Sequence, residues 1–314
     1  MELDYECIRK RFCELKKANC HIHITGSLPI NEIRRIANLT DKDLSDFEPL
    51  ENYDSFEHQQ YWSASKESTA SRIGLFEALK FVIDQESKDN VTYLEITINF
   101  DRMLRRGVSI TEIVDAVTEA GSYAEGKAMV LKIKGGVNRK DGIESVDIVK
   151  KVFVSLPEKY QCCIDLNGKE REYSTYDFIE PFKKLKSDGI DTSIHAGEFL
   201  DQIESLEFAI SAKPNRIAHA IASQHNEKVY EALHKNEITV EVSVISNLKL
   251  GNLKEPAKHP IKDFLEKEIN VVLGNDDPAL FRSCMTDEFM TLIDSGLSVT
   301  EIEILNTFGL CENH

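Results

Sequence analysis

Two histidines separated by one residue, His21 and His23, lie in a largely apolar segment of residues 18–24. Side chains of a β-strand alternate between its two faces, so histidines two positions apart point to the same side. A strand can present two imidazoles to a metal ion in this way. Because His-x-His also occurs in ordinary half-buried strands, the pair alone does not establish a metal site.

Further side chains capable of chemistry follow later runs of apolar, β-branched residues. In chain order they are His195 with Glu198, His219, Ser246 with Asn247, and Asp276 with Asp277. Each group stands where such a run stops, and we interpret these positions as the carboxyl ends of strands. The histidines and carboxylates are therefore expected to gather at one edge of a sheet.

Eight short runs have the composition of strands, at about residues 18–24, 91–98, 129–134, 160–166, 191–195, 215–219, 238–245 and 269–274. Helical patterns separate most of them, over residues 110–125, 142–153, 176–186, 201–212, 227–234 and 261–267. This alternation predicts an α/β fold with parallel strands, and eight units predict a (β/α)8 TIM barrel as a single domain over residues 1–314. A doubly wound open sheet is the alternative, but no Gly-x-Gly-x-x-Gly follows the first strand.

The connection after the first strand is longer than the others and runs from residue 28 to 90. It holds more than one helical pattern and carries the aromatic residues Phe56 and Trp62. An insertion at this place can lie at the barrel mouth and act as a lid, with Phe56 and Trp62 as lid side chains. Alternatively, it forms an extra helix that covers the side of the barrel.

Composition excludes several classes of partner. The 314 residues carry a formal net charge of −16 without a basic face, which argues against nucleic acid binding. No apolar run approaches the length of about 18 to 20 residues that spans a membrane, and no signal peptide is evident. Seven cysteines without a Cys-x-x-Cys pair favour a reducing cytoplasm. Cys20 points away from His21 and is interpreted as a packing residue. The composition does not indicate the oligomeric state.

In a barrel, catalytic groups come from the carboxyl ends of several strands. On our strand assignment, strand one supplies His21 and His23, strand five His195, strand six His219, and strand eight Asp276 with Asp277. Three imidazoles and one carboxylate suit Zn²⁺ and leave a position for water, although iron or cobalt could use the same ligands. Zinc lowers the pKa of water from about 15.7 to about 7, so such a site is expected to be hydrolytic.

Glu198 follows His195 by three residues, just past a predicted strand end. A carboxyl group in a closed cleft has a raised pKa and can transfer protons. The alternative is that Glu198 only stabilises the amino terminus of the helix that follows.

These residues resemble the adenosine deaminase family of metal-dependent aminohydrolases. The resemblance covers about residues 17–310 and consists of several motifs in the family's order. They are His-x-His-x-x-Gly-Ser at 21–27, Tyr-Leu-Glu at 93–95, Asp-Leu-Asn-Gly at 165–168, His-Ala-Gly-Glu at 195–198, the isolated His219, Ser246-Asn247, and Asp276-Asp277-Pro278.

The resemblance implies hydrolytic deamination at the 6-amino group of an adenine compound, with one zinc ion per chain. It further implies catalytic roles for Glu198, His219 and Asp276. In this scheme zinc is bound by His21, His23, His195 and Asp276, His219 holds and polarises the attacking water, Glu198 protonates purine N1, the backbone N–H of Gly168 donates to N3, and Asp277 contacts N7.

The sequence departs from the family pattern at positions that bear on the substrate. Thr25 stands where adenosine-specific members have an Asp that contacts the ribose, and its spacing from His23 predicts an extended segment that points it to the pocket mouth. Lys169 replaces a usually acidic residue, so it either pairs with a phosphorylated ligand or is an ordinary surface lysine. Alanines replace the glycines on either side of His219, at Ala218 and Ala220.

The leading hypothesis is a cytoplasmic zinc-dependent aminohydrolase of adenosine or a closely related adenine nucleoside. Alternative substrates are adenine, an N6-substituted AMP and a 5′-modified adenine nucleoside. A different class is a non-catalytic purine-binding protein on the same barrel. Glu198, His219 and Asp276 argue against that class, because binding alone needs none of them.

Overall fold

The computed structural model of the protein describes residues 4–44 and 59–311. Its eight strands are parallel and pair in sequence order from first to last, and a bridge between Ile22 and Asp276 links the first strand to the chain after the last. This confirms the predicted TIM barrel. The strands are β1 (Lys17–His23), β2 (Val91–Ile98), β3 (Val130–Asn138), β4 (Gln161–Asn167), β5 (Thr192–Ala196), β6 (Arg216–His219), β7 (Thr239–Val242) and β8 (Val271–Leu273).

Helices connect the strands and pack around them. They are α1 (Tyr5–Glu14), α2 (Ile30–Leu39), α3 (Gln59–Ser68), α4 (Arg72–Lys88), α5 (Phe100–Arg105), α6 (Ile110–Glu125), α7 (Glu144–Phe153), α8 (Ile179–Ser187), α9 (Ile203–Ser211), α10 (Glu227–Lys235), α11 (Val244–Lys249), α12 (Ile261–Glu266), α13 (Pro278–Phe281), α14 (Met285–Asp294) and α15 (Val299–Cys311). The predicted boundaries of α6 are confirmed, and its start is fixed by a capping box of Ser109 and Glu112.

The strands are buried on both faces, as expected of a parallel sheet covered by helices. All five residues of β5 and all four of β7 are buried. Ile133, Ile164 and Ile194 on adjacent strands are fully or almost fully buried in the main hydrophobic core.

The inside of the barrel also holds a layer of paired charges. Lys134 of β3 lies 3.0 Å from a carboxylate oxygen of Glu95 on β2 and 2.6 Å from one of Glu241 on β7. Arg216 of β6 lies 2.8 Å from Glu95. The four side chains are at most 11% exposed, so each charge is stabilised by its partners in place of water. This layer fixes Glu241 beneath the histidines of β1.

The long connection after β1 contains α2, α3 and α4, and its middle helix lies at the carboxyl end of β1. The hydroxyl groups of Tyr61 and Ser65 on α3 donate to the carbonyl oxygen of Thr25, at 3.0 and 2.8 Å. Trp62 is partly buried and packs against the core. The insertion therefore lies at the barrel mouth. A lid role for Trp62 stays a prediction, and Phe56 lies outside the described residues.

The prediction that Ser246 and Asn247 end a strand is wrong. Strand β7 stops at Val242, and both residues lie on the short helix α11. The carboxylate of Glu288 on α14 accepts the backbone N–H groups of Val244 and Ile245, at 3.1 and 3.2 Å. An acceptor at this point satisfies the free amides of a helix amino terminus, so the apolar run turns helical instead of extending the strand.

All seven cysteines are free thiols, and Cys20 is fully buried in β1, which agrees with a packing role. Across residues 4–44 and 59–311, no helix has both the length and the apolar character required to cross a membrane.

Glu86 of α4 is a buried carboxylate that accepts a hydrogen bond from Asn19 Nδ2 at 2.9 Å. Burial raises its pKa to about 7 from an ordinary value of 4.5. Between these two pH values the folded state binds more protons than the unfolded state, so stability falls as pH rises through this range. We expect Glu86→Gln to raise the free energy of unfolding at pH 8 by about 1 to 3 kcal/mol, with little change at pH 4.5.

Urea denaturation at the two pH values measures this difference. The exposed Glu231 on α10 provides a matched control, because Glu231→Gln should leave the pH dependence of stability as it is. Equal effects of Glu86→Gln at both pH values would show that the Glu86 carboxylate is not destabilised by burial.

Candidate active site

The predicted histidines and Asp276 meet at the carboxyl end of the barrel. Ligand atoms of His21, His23 and His195 lie within 4.8 Å of one another, and so do those of His21, His219 and Asp276. The Nε2 atoms of His23 and His195 are 3.1 Å apart. Asp276 Oδ1 is 3.6 Å from His21 Nε2 and 3.4 Å from His23 Nε2. Four elements far apart in sequence thus form one cluster.

Two buried carboxylates orient the histidine rings from below. Glu241 Oε2 lies 2.6 Å from His21 Nδ1, and Asp165 Oδ1 lies 3.0 Å from His195 Nδ1. These contacts occupy the Nδ1 atoms and leave the Nε2 atoms facing the cluster, which is the usual arrangement of metal-binding histidines. The sequence analysis assigned no role to Glu241 or Asp165. A carboxylate inside a fully buried strand was the signal that could have identified them.

The charge of the cluster favours a divalent cation. Burial lowers the pKa of His21, but its interactions with Asp276 and Glu241 outweigh burial and raise that pKa to about 10. Burial and the nearby His195 and His21 lower the pKa of His23 to about 3, so this imidazole is neutral and able to coordinate. Burial opposes ionisation of Asp276, but the surrounding histidines hold its pKa below the ordinary value.

The donor set fits a metal ion of the Zn²⁺ class. His21 Nε2 is buried and has no hydrogen-bond partner within the described part of the chain. A cation among the three Nε2 atoms and the Asp276 carboxylate would satisfy this nitrogen and separate the donor atoms of His23 and His195. Imidazole and carboxylate ligands suit Zn²⁺ and related divalent ions.

His219 approaches the cluster from the end of β6 through an unusual backbone conformation. Its φ is +71° and that of Ala220 is +52°, in the left-handed region that favours glycine. Burial holds the pKa of His219 well below its ordinary value, so the ring is neutral. Its Nε2 lies 3.9 Å from Glu198 Oε1.

Glu198 lies in the loop after β5, and Glu170 holds this loop in place. The carboxylate of Glu170 accepts the N–H groups of Gly197 and Glu198, at 2.6 and 3.1 Å. Gly197 has a φ of +65° and close contacts that a side chain would disturb. Burial, followed by the negative charges of Asp276 and Glu170, raises the pKa of Glu198 to about 8. The sequence analysis did not identify Glu170.

The position of Glu198 also bears on the alternative that it stabilises a helix terminus. The next helix, α9, begins only at Ile203. The Glu198 carboxylate instead faces His219, and only 14% of its side chain is exposed. These contacts favour the proton-transfer interpretation.

Asp277 is buried beside the cluster and packs directly on the loop after β1. A Cβ atom at Gly26 would lie 1.6 Å from Asp277 Oδ1, so this close approach requires glycine. Oδ1 has no hydrogen-bond partner among residues 4–44 and 59–311. Burial, reinforced by the charge of Asp276, holds the pKa of Asp277 well above its ordinary value. A protonated Asp277 can donate a hydrogen bond to a ligand nitrogen.

The structure bears on the expectations for Thr25 and Lys169. The segment after His23 is a turn of 3-10 helix over Ile24–Ser27, so the prediction that Thr25 continues an extended strand is wrong. The turn brings Gly26 against Asp277, a tertiary contact with the chain after β8. Lys169 pairs with Glu172 at 2.6 Å, and both side chains are more than half exposed. This favours the surface alternative for Lys169.

Comparison with known proteins agrees with this geometry. The sequence profile described as adenosine deaminase matches residues 16–309. An adenosine deaminase from Clostridium botulinum (strain 657 / Type Ba4) is 27% identical over an alignment of 315 positions. The alignment covers 94% of this chain and 92% of the relative. An adenine deaminase from Psychrobacter cryohalolentis is 24% identical over 303 residues, which cover 93% of this chain and 89% of the relative.

Solved structures share the barrel. An N6-mAMP deaminase from Arabidopsis has a TM-score of 0.83 and 19% identity, with 97% of this chain and 95% of that chain covered. An amidohydrolase from Burkholderia ambifaria with bound zinc has a TM-score of 0.86 and 14% identity, with 100% and 89% covered. At these identities the likeness concerns the fold.

Proposed function

This chain belongs to the adenosine deaminase family and is a metal-dependent hydrolytic deaminase of adenine nucleosides or related compounds, and we propose that it uses zinc to remove the 6-amino group of adenosine or a close relative. The observation that carries the proposal is the meeting of the donor atoms of His21, His23, His195 and Asp276 beside Glu198. Water oxygen forms a bond to C6, and the C6–N bond breaks to release ammonia.

The proposed ligands of the zinc ion are His21, His23, His195 and Asp276. The zinc found in the related amidohydrolase barrel supports this choice of metal. When bound, zinc lowers the pKa of a water molecule and so supplies a nucleophile at neutral pH. Asp276 is held further by Ser246, whose hydroxyl donates to its Oδ2 at 2.5 Å.

Glu198 is proposed to donate a proton to the purine, and His219 is proposed to stabilise the attacking water. A raised pKa keeps Glu198 protonated at neutral pH, so it can donate to purine N1 and make C6 more electrophilic. The neutral His219 can accept a hydrogen bond from the attacking water and stabilise the charge that develops on its oxygen. The distance of 3.9 Å between His219 Nε2 and Glu198 Oε1 supports roles for both side chains at one reacting centre.

Three further contacts would orient the purine. We assign Asp277 as a donor to N7, because its buried Oδ1 lacks a partner in the described structure and its pKa is raised. The backbone N–H of Gly168, at the end of β4, is assigned to N3. Thr25 is assigned to the sugar end, since its turn lies at the carboxyl end of β1 beneath α3.

Related substrates keep the same chemistry. The adenine deaminase from Psychrobacter cryohalolentis supports adenine as an alternative, and the Arabidopsis N6-mAMP deaminase supports an N6-substituted AMP. A 5′-modified adenine nucleoside is the third alternative. A non-catalytic purine-binding protein is disfavoured, because binding does not require Glu198 in contact range of His219.

Ammonia release separates these candidates. We expect the zinc-loaded protein to release one ammonia per molecule of an adenine compound, measured with adenosine, AMP, N6-methyl-AMP, 5′-deoxyadenosine and adenine. N6-methyl-AMP should release methylamine in place of ammonia, so amine analysis identifies its turnover. Purine binding without release of ammonia or amine from any compound would contradict the proposed function.

A further inference from the structure

Basic residues gather on three consecutive loops at the carboxyl face of the barrel. Lys66 lies on α3 after β1, Arg102 on α5 after β2, and Lys140 in the 3-10 turn after β3. Lys66 and Arg102 are partly buried, whereas Lys140 is exposed. The segments of Lys66 and Arg102 are in contact, because Arg106 pairs with Glu67 at 2.7 Å. The charges that act most strongly on Lys66 are those of Arg102 and then Asp141, and Lys140 also contributes. This side of the mouth therefore carries three basic side chains beside one acidic side chain, Asp141, in a chain whose net charge is −16.

The ammonium group of Lys66 lies against an aromatic ring. Its Nζ lies 5.5 Å from the centre of the Trp62 ring, a favourable cation–π distance. Neither the side chain of Lys66 nor that of Arg102 forms a hydrogen bond or an ion pair with any residue of 4–44 or 59–311. Burial and the charge of Arg102 lower the pKa of Lys66 to about 7. An anion between the two side chains would relieve their repulsion and keep Lys66 charged.

Lys66 also lies close to the purine contacts proposed above. Its neighbour Ser65 donates to the carbonyl oxygen of Thr25 at 2.8 Å. Thr25 adjoins Gly26, on which Asp277 packs. A Cβ atom at Gly26 would lie 1.6 Å from Asp277 Oδ1, so no side chain separates Asp277 from this turn. These contacts form a continuous path from the N7 side of the purine to Lys66.

The orientation of the purine directs its sugar toward the same loops. Glu198 at N1 follows β5, Gly168 at N3 follows β4, and Asp277 at N7 follows β8. Purine N9 lies between N3 and N7 and opposite N1. In a barrel whose strands are ordered from β1 to β8, N9 therefore faces the sector of β1, β2 and β3. This sector carries Thr25, Lys66 and Arg102.

We propose that Lys66 and Arg102 form a subsite for a 5′-phosphate, so that the preferred substrates are adenine nucleotides and not free nucleosides. This inference rests on the proposed function, which sets the orientation of the purine. An ammonium and a guanidinium group together match the charge of a phosphate dianion, and Arg102 can offer two parallel donors. Thr25 fits this assignment, because an Asp at the same position would repel the phosphate.

The test compares kcat/KM for AMP and adenosine in the zinc-loaded enzyme. We expect the unmodified enzyme to prefer AMP, and Lys66→Gln to lower kcat/KM for AMP by roughly 10- to 100-fold, with a much smaller change for adenosine. Arg102→Gln, on a different helix, should shift the ratio in the same direction, as should Thr25→Asp. The matched control is Lys169→Gln, which removes an exposed lysine from the same barrel face and should leave the ratio unchanged.

Binding of the products IMP and inosine, measured by calorimetry, gives a readout independent of turnover. A loss of IMP affinity in Lys66→Gln, with inosine affinity much less affected, supports the subsite. Equal effects on both ligands, or a preference for adenosine in the unmodified enzyme, would overturn it. Inorganic phosphate that binds at Lys66 without a preference for AMP would identify an independent anion site and also overturn it. Failure of the proposed function is distinct, since no adenine compound would then be deaminated.

Discussion

Replacing His195 with Ala is expected to remove the metal and the activity together. The alanine variant lacks one of the three imidazole nitrogens that meet at the cluster, and it leaves Asp165 without the ring that it orients. A metal ion contributes several kcal/mol to such a reaction, so the rate should fall at least about 1,000-fold. Elemental analysis of the purified protein and the rate of ammonia release measure both effects.

A matched control uses a histidine outside the site. His234 is exposed on α10, and its Nδ1 lies 3.1 Å from the carbonyl oxygen of Glu268. His234→Ala should retain one metal ion per chain and nearly full activity. If His195→Ala also retained its metal and activity, His195 would not be a ligand, and the proposed ligand set would be incorrect.

The sequence was sufficient to predict the fold and the cluster of histidines. The period of two in a strand placed His21 and His23 on one face, and both are found beside His195. The barrel prediction succeeded because parallel strands buried on both faces leave long apolar runs between helical patterns. The carboxyl ends of those runs then located His195, His219 and Asp276 at a common face.

The supporting residues could not be identified in the same way. Glu241 contacts His21 from a position 220 residues away, and this pairing depends on the closure of the barrel from β1 to β7 and β8. Lys134 and Glu95 form part of the same buried layer. Each charge inside an apolar strand indicated a buried pair, but the partner is a property of the three-dimensional arrangement.

Local predictions failed where a tertiary contact changed the backbone. The spacing of Thr25 from His23 predicted an extended segment, but the packing of Asp277 on Gly26 accompanies a turn. The apolar run also extended strand seven to residue 245, but Glu288 from α14 provides the acceptor that starts a helix there. Both contacts come from the chain after β8, which the sequence pattern near β1 and β7 does not contain.

Glu198→Gln is expected to lower the rate of deamination by at least about 100-fold while the metal stays bound. Glutamine has the size and hydrogen-bonding reach of glutamate, but it can neither give a proton to N1 nor take one back. The backbone contacts to Glu170 involve the N–H groups of Gly197 and Glu198, so the substitution leaves them in place. Elemental analysis and kcat measure the two outcomes separately.

The pH dependence provides an independent test of the same role. Only the protonated carboxyl can donate, so kcat/KM of the unmodified enzyme should fall as pH rises through the pKa of Glu198, which burial and the charges of Asp276 and Glu170 raise to about 8. The charge of a bound metal ion moves this decline to lower pH without changing its direction. Glu204→Gln, an exposed substitution on α9, should keep both the rate and the profile. Loss of metal in Glu198→Gln would show that Glu198 is a ligand. Retained activity would show that another group donates the proton. His219 is not that donor, because burial keeps its ring neutral.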